Sequence, residues 1–275
     1  NDMPREAGKG GASGTARIHQ GGDAGIDAPQ VRMHAVAGKP FEHVGMEIDQ
    51  PGGDDLARHL RLGPGDRLAD IGSGSGWPGL YLAQQTGCSV VGTDLPFDGL
   101  RRARARSRAD GLVGRASHAV ATGRRQPFRS GSFDAVVHTA VLCCLSPKLA
   151  VLRACHRLLR PGGRLVFTTI HVAPALDAAR HRRAVRAGPP HVAARRAYRD
   201  LVVQAGFTDV VEIDVTQDYA RTQRAWSEAV DSRAAEVRHF VSDTEFAAAQ
   251  ADRRLTRAAI DDGLLRRSLL TATHP

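Results

Sequence analysis

The sequence of 275 residues is 42% hydrophobic and has a formal net charge of +9. A chain of this size can bury a full core, and its length favours one domain with insertions over two domains. No apolar run approaches the roughly 20 residues needed to cross a bilayer. The sequence also contains no secretory signal. We therefore expect a cytoplasmic globular protein.

The positive charge comes almost entirely from arginine, because lysine occurs only at positions 9, 39 and 148. The densest arginine group lies at 101–108, on a predicted helix, where a solvated face is the simplest explanation. Aromatic residues are not interleaved with these arginines, so nucleic acid is not favoured as a partner. The cysteines, Cys88, Cys143, Cys144 and Cys155, lack the Cys-x-x-Cys spacing of zinc sites, and we predict no metal.

The chain opens on two segments of different character. Residues 1–28 are rich in Gly, Ala and Asp and contain almost no large apolar residue, which predicts a disordered tail. Residues 29–62 mix apolar side chains with His34 and His43, and they end at the turn Gly63-Pro64-Gly65-Asp66. We interpret 29–62 as a helical entry segment, or lid, over a ligand site.

The remainder, 63–275, alternates strands and helices. Strands are predicted at 67–71, 89–94, 116–121, 134–138, 163–170, 208–215 and 264–273. Helices are predicted at 78–86, 98–109, 147–159 and 191–205, with a charged, Ala-rich helical insert at about 217–262. This alternation predicts an α/β fold with a Rossmann-like, mostly parallel seven-stranded sheet, helices on both faces and a helical lid.

The most informative motif is residues 68–79, Leu-Ala-Asp-Ile-Gly-Ser-Gly-Ser-Gly-Trp-Pro-Gly. A short strand leads through an acid into a glycine turn and a helix start, which is typical of a nucleotide-cofactor site. The glycines alone also satisfy the dinucleotide pattern Gly-x-Gly-x-x-Gly. Asp70, however, would oppose a pyrophosphate and would suit an ammonium. S-adenosylmethionine (SAM) carries an ammonium and a sulfonium and no phosphate. Asp94, about 20 residues beyond the glycines, suits ribose hydroxyls in either cofactor class.

Two later sequence segments help to interpret this motif. Residues 126–137 form a turn that leads into a buried strand, and 158–167 form a helix end, a tight turn and another strand. In this order, over about 41–170, the chain resembles the class I SAM-dependent methyltransferases, especially the type 11-like group that acts on small molecules. The cofactor-binding residues that the resemblance implies are Asp70, Gly72, Ser73, Gly74, Gly76, Trp77, Asp94, Leu95, Thr122 and His138.

Two of these positions depart from the family pattern. Thr122 stands where the family often has an acid for the adenine amino group, and a hydroxyl accepts that hydrogen bond without adding charge. His138 stands where a small or polar residue is frequent, so it is expected to touch the methionine moiety or to face the substrate.

Methyl transfer needs positioning above all, and it needs a base only if the acceptor arrives protonated. His171, directly after a predicted strand, is the first candidate for that base, because histidine ordinarily titrates near working pH. A loop-orienting role fits its position equally well. His138 is the second candidate, and His43, beside Glu42, is the third.

The function that we expect is methyl transfer from SAM to an oxygen or nitrogen, or alternatively a carbon, of a small metabolite or natural product, with S-adenosylhomocysteine as product. A methyltransferase of RNA or another macromolecule, a non-catalytic SAM-binding protein and, more distantly, a dinucleotide oxidoreductase are the alternatives. Thiolate attack by Cys143 or Cys144 would indicate a nucleobase enzyme, but their apolar neighbours favour packing and a raised thiol pKa. The expected partner is a small-molecule acceptor, and a homodimer stays open.

Overall fold

The computed structural model describes residues 31–34, 45–48, 53–239 and 241–275. The tail predicted at 1–28 and the candidate base His43 lie outside these ranges. Among the described residues, no helix has the length and apolar character required to cross a bilayer.

Seven strands form one twisted sheet that matches the predicted fold. They are β3 (Arg67–Ile71), β4 (Ser89–Asp94), β5 (Ala116–Val120), β6 (Phe133–Thr139), β7 (Leu159–Val172), β8 (Thr208–Asp214) and β9 (Leu265–Thr273). Their spatial order is β5-β4-β3-β6-β7-β9-β8. The first five strands pair in parallel, and β9 runs antiparallel to both β7 and β8. The strand order reverses at β3, where open α/β sheets bind ligands.

Helices cover both faces of this sheet. They are α1 (Gly53–Leu60), α2 (Gly79–Thr86), α3 (Phe97–Ala109), α4 (Lys148–Leu158), α5 (Ala178–Ala187), α6 (Tyr198–Gln204), α7 (Thr216–Ser232), α8 (Ala234–Arg238) and α9 (Asp243–Asp261). Side chains of α1 and α2 share one buried cluster with Leu68, Val90 and Val137 of the sheet. Those of α4 and α6 share the opposite cluster with Phe133 and Phe167. Alternate residues of each central strand therefore face two cores.

The entry segment differs from its prediction. Helix is present only in α1, whereas β1 (Val31–His34) and β2 (Gly45–Ile48) form an antiparallel pair. Over such short stretches, a mixture of apolar and polar residues is compatible with the periodicity of a helix or of a strand. Pairing between β1 and β2 stabilises the strands. The helical interpretation of 29–62 is therefore wrong at these two strands and right at α1.

The helix predicted at 191–205 is also shorter than expected, since α6 begins only at Tyr198. Residues ahead of it are held by tertiary contacts instead. The His191 N–H donates to Cys143 O at 2.9 Å, and Lys148 Nζ donates to His191 O at 2.7 Å. Helix α5 was not predicted, and its first turn is capped by Asp177, whose carboxylate accepts from the Arg180 N–H. The helical insert is present as α7, α8 and α9.

Candidate active site

The glycine loop after β3 is fastened to the end of β4. The N–H groups of Gly72 and Ser73 both donate to Thr93 O, at 2.7 and 3.1 Å. Gly72 has φ +72°, and a Cβ placed on it would lie 2.4 Å from Val141 Cγ2. Only glycine permits both the left-handed backbone and this close packing. The loop is therefore shaped by the protein before any ligand arrives.

Asp94, at the end of β4, orients its carboxylate toward the loop. One oxygen accepts from the Gly74 N–H and the other from the Leu95 N–H, each at 2.7 Å. A carboxylate oxygen has two acceptor sites, so both oxygens keep capacity for hydroxyl donors. The sole protein atom within 4 Å of a Cβ built on Gly74 is this same carboxylate, among the described residues.

Asp70 is buried at the end of β3, with 1% of its surface exposed. Its Oδ2 accepts from the Gly79 N–H of α2 at 3.0 Å, while Oδ1 has no partner among the described residues. Burial raises the pKa of this carboxyl well above its usual value, and the charge of Asp94 adds to the rise. A cation next to Asp70 would favour the ionised form and would stabilise the site.

Ser73, Gly76 and Trp77 complete the loop. The Ser73 hydroxyl is buried and also lacks a partner among the described residues. A Cβ on Gly76 would lie 2.5 Å from Leu80 Cδ1, so Gly76 allows α2 to approach. The Trp77 ring lies 5.1 Å from that of Tyr81, and both rings contact the start of α1. Trp77 thus joins the loop to the entry segment.

An apolar surface adjoins Asp94 at the carboxyl ends of β4 and β5. Leu95, Phe97 and Val120 are 56%, 68% and 55% exposed. Large apolar side chains that stay exposed in a cluster commonly mark ligand contacts. Thr122 follows at the end of β5, and its hydroxyl already accepts from the Arg125 N–H at 3.2 Å. This bond leaves Thr122 acceptor capacity for one further donor.

His138 does not face a substrate. Its side chain is fully buried, and its ring stacks on Phe167 with centroids 4.5 Å apart. Burial lowers its pKa to about 3, so the ring is neutral at neutral pH. We expected His138 to be an accessible base, and this expectation is wrong because its ring is enclosed in the protein interior.

His171 lies near the carboxyl end of β7 and is partly exposed. Its Nδ1 is 3.2 Å from Val172 O and its Nε2 is 2.9 Å from Ser268 Oγ. With the proton on Nδ1, Nε2 accepts from the serine hydroxyl. Ser268 was not predicted, and no local sequence signal identifies it, because the contact joins residues 97 positions apart.

A buried arginine near the same edge was also missed. Arg267 is 8% exposed, its guanidinium donates to Thr168 Oγ1 at 2.9 Å, and it lies 5.4 Å above the Tyr219 ring. The period-two pattern of β9 contains the signal, since Leu265, Arg267 and Leu269 share one strand face. Arginine is almost never fully buried unless it is paired. An arginine between two leucines on an apolar strand face therefore indicates a buried, hydrogen-bonded guanidinium.

The cysteines are free thiols. Cys155 is buried in the core as predicted, and burial raises its pKa to about 12. Cys143 departs from the prediction, because hydrogen bonding with the Cys144 side chain lowers the pKa of its thiol. Its side chain is nevertheless fully buried and lies 3.2 Å from Ala140 O. Packing, rather than attack on a nucleobase, accounts for this position.

The fold is similar to that of solved methyltransferases. The family model described as "Methyltransferase domain" matches residues 69–167, which include the glycine loop, Asp94 and the first part of β7. Over these residues the chain is similar to that family. Within the described residues, no group of three or more His, Cys, Asp or Glu side chains is arranged to hold a metal ion.

Two curated relatives show the range of the similarity. Methyltransferase GfsG from Streptomyces halstedii is 34% identical over 124 residues, which are 45% of each chain. The 27-O-demethylrifamycin SV methyltransferase from Amycolatopsis mediterranei (strain S699) is 29% identical over 226 residues, 81% of this chain and 82% of the relative. The chain thus spans less than half of the first relative and most of the second.

Solved structures support the fold. Haemonchus contortus phosphoethanolamine N-methyltransferase 2, in complex with phosphomonomethylethanolamine and S-adenosylhomocysteine, superposes with a TM-score of 0.70 at 20% identity, covering 82% of this chain and 54% of that one. The [4+2]-cyclase SpnF superposes with a TM-score of 0.67 at 22% identity, covering 82% and 81%. A cyclase among the neighbours shows that this fold by itself does not fix the reaction.

Proposed function

We propose that this protein transfers the methyl group of SAM to an oxygen, nitrogen or carbon of a small molecule, leaving S-adenosylhomocysteine. The observation that carries the proposal is the pair of carboxylates at adjacent strand ends, Asp70 and Asp94, with the glycine loop between them. A buried acid suits the ammonium of the cofactor, and a half-exposed acid with free acceptor sites suits its ribose.

The remaining contacts follow from the same geometry. Asp70 and the loop from Gly72 to Trp77 would hold the methionine part, and Ser73 offers a buried hydroxyl without a partner among the described residues. Leu95 would cover one face of the adenine, and Thr122 would accept from its amino group. When bound, the sulfonium supplies an electrophilic methyl group for in-line displacement. The protein's contribution is to hold the acceptor in line and to exclude water.

The acceptor would lie beside the loop, over the carboxyl ends of β6 and β7. Helices α5, α7 and α9 pack around this edge through a cluster that includes Ile170, Tyr219 and Leu265. These helices, with the entry segment 29–62, would enclose a small molecule. His171 would take the acceptor's proton through Nε2, once the Ser268 hydroxyl turns away from that nitrogen.

Titration calorimetry with SAM, S-adenosylhomocysteine and NAD tests the cofactor assignment. We expect both SAM compounds to bind and NAD to bind at least about tenfold more weakly, because a pyrophosphate would meet Asp70. Comparable binding of NAD would overturn the assignment. Turnover of labelled SAM with a panel of small alcohols, phenols and amines then separates an enzyme from a non-catalytic binder.

The principal alternative is a macromolecular acceptor. It predicts positive charge at the mouth of the site, and the densest run of arginines in the sequence lies on α3. Those arginines lie along a helix with the acid Asp98 in its first turn, and Arg101 is 3.5 Å from that carboxylate. We therefore favour the small-molecule acceptor.

A further inference from the structure

A long groove separates α4 from the segment leading into α6, away from Asp70 and Asp94. Its volume is about 890 Å³, and it is lined along nearly the whole length of α4, from Ser146 to Arg157. At 1.5 Å per residue, the 11-residue helix α4 gives the groove a length of about 16 Å. This space matches about three turns of a further helix.

The rim of the groove is positively charged. Its arginines are Arg124, Arg153, Arg157, Arg195 and Arg196, and within the described residues no Asp or Glu lines it. Arg157 donates to the carbonyls of Phe128 and Gln126. Arginines elsewhere behave differently, since Arg183 of α5 and Arg224 and Arg233 of the helical insert each pair with a carboxylate. The groove therefore concentrates positive charge without a carboxylate among its lining residues.

The floor of the groove is apolar. Leu149, Ala150 and Ala154 of α4 face Ala194 and Leu201 across it. An apolar floor with a charged rim complements an amphipathic helix that carries acids beside its apolar face. Single-stranded nucleic acid would use aromatic stacking platforms, and no aromatic side chain among the described residues lines this groove. The arginines are also spread along the groove, whereas a single phosphate would need them to converge.

From this complementarity we infer that the groove between α4 and α6 is a docking site for an acidic amphipathic helix of a protein partner. The partner would place its apolar side chains against Leu149 and Leu201 and its carboxylates between Arg153 and Arg196. One end of the groove lies at Arg124, two residues beyond Thr122. A docked protein would therefore stand beside the cofactor site without occupying it.

The test uses the full chain and a fluorescein-labelled synthetic peptide of about 18 residues, five helical turns, with Leu on one face and Glu on the other. Fluorescence anisotropy at low salt should show binding that weakens as salt is raised. The double charge reversal Arg153→Glu and Arg196→Glu should weaken it about tenfold or more. Ala150→Trp, which fills the groove without changing charge, should weaken it as well.

The matched control is Arg104→Glu with Arg108→Glu on exposed positions of α3, which changes the net charge equally. This pair should change peptide affinity less than about twofold. The proposal would be overturned if both pairs of substitutions weakened binding equally, or if a scrambled peptide of the same composition bound equally well. Either result would show that the peptide responds to the net charge of the protein and not to the groove. Tighter binding of a labelled RNA of similar length, lost in the groove variant, would overturn it in favour of nucleic acid. Unchanged SAM affinity and melting temperature show that each variant is folded, and the outcome is independent of the methyl-transfer proposal.

Discussion

Asp94 is the residue for which the structure makes the sharpest prediction. Its carboxylate is fixed by the N–H groups of Gly74 and Leu95 and would accept from the ribose hydroxyls. Hydrogen bonds to a charged group contribute about 1.5–3 kcal/mol each, so Asp94→Ala should weaken SAM binding at least about tenfold. Calorimetry measures this, with Asp200→Ala on α6 as the exposed-acid control. Equal affinity in Asp94→Ala and the parent protein would show that the ribose binds elsewhere.

His171 and Ser268 form a pair whose roles can be separated. If Nε2 takes the acceptor's proton, His171→Ala should lower turnover by roughly 10²–10⁴ and leave SAM affinity nearly unchanged. Ser268→Ala removes only the hydrogen bond that orients the ring and should cost turnover less. A His171→Ala variant with full turnover would show that positioning alone carries the reaction.

Burial of the His138 ring makes the stability of the protein depend on pH. Its folded-state pKa of about 3 lies below the unfolded value of about 6.5, so between these limits the unfolded chain binds a proton that the folded protein does not. Stability from this residue is therefore present above about pH 6.5 and is lost as the pH falls. The free energy of unfolding should drop between pH 7 and pH 5 by about 2 kcal/mol more in the parent than in His138→Leu. Urea denaturation at both pH values measures this, and parallel losses would contradict the burial of the ring.

At the scale of elements, the turn between β3 and α2 depends on steric fit as well as on backbone conformation. Gly72 and Gly111 have nearly equal φ values of +72° and +69°, but only Gly72 has a neighbour, Val141, at the position of a Cβ. Either change to Ala should cost about 1–2 kcal/mol for the left-handed backbone. Gly72→Ala should cost about 1–3 kcal/mol more, because it overpacks the turn, and should weaken SAM binding.

Urea denaturation and calorimetry measure both variants. The double variant Gly72→Ala with Val141→Ala should regain part of the loss, since it removes the colliding methyl group. Equal costs at Gly72 and Gly111 would show that the turn relaxes freely.

The elements also show where sequence reasoning succeeds. Strands β3 and β4 match their predicted bounds, because each is a short apolar run between turn residues. Helix α2 ends at Thr86, where its predicted end lies, and Gly87 after it adopts the left-handed φ of +77° that commonly ends a helix. The region 191–197 could not be predicted, because Lys148 holds it through His191 O. That contact is invisible to any local pattern.

At the scale of the whole molecule, the entry segment and the helical insert are predicted to respond to ligand together. The start of α1 rests on Trp77 and Tyr81, and the Tyr81 hydroxyl donates to Asp54. Binding at the glycine loop should therefore slow amide exchange in 29–62, and an acceptor should add protection over 217–262, since closure excludes water.

Hydrogen exchange measures this as slowed amides on addition of S-adenosylhomocysteine. Asp94→Ala at the same ligand concentration is the control and should show little change. Exchange that is unaltered in 29–62 of the parent protein would mean that this segment does not cover the site.

The sequence by itself determined the α/β alternation, the glycine loop and the two acids at strand ends, because these depend on residues close together in the chain. It also places an arginine on the apolar face of β9. Only the tertiary structure decided that His138 is enclosed against Phe167, that Ser268 reaches His171, and that the arginines of separate segments line one groove. Burial and electrostatic environment are set by residues distant in sequence, and those relations exist only after the chain has folded.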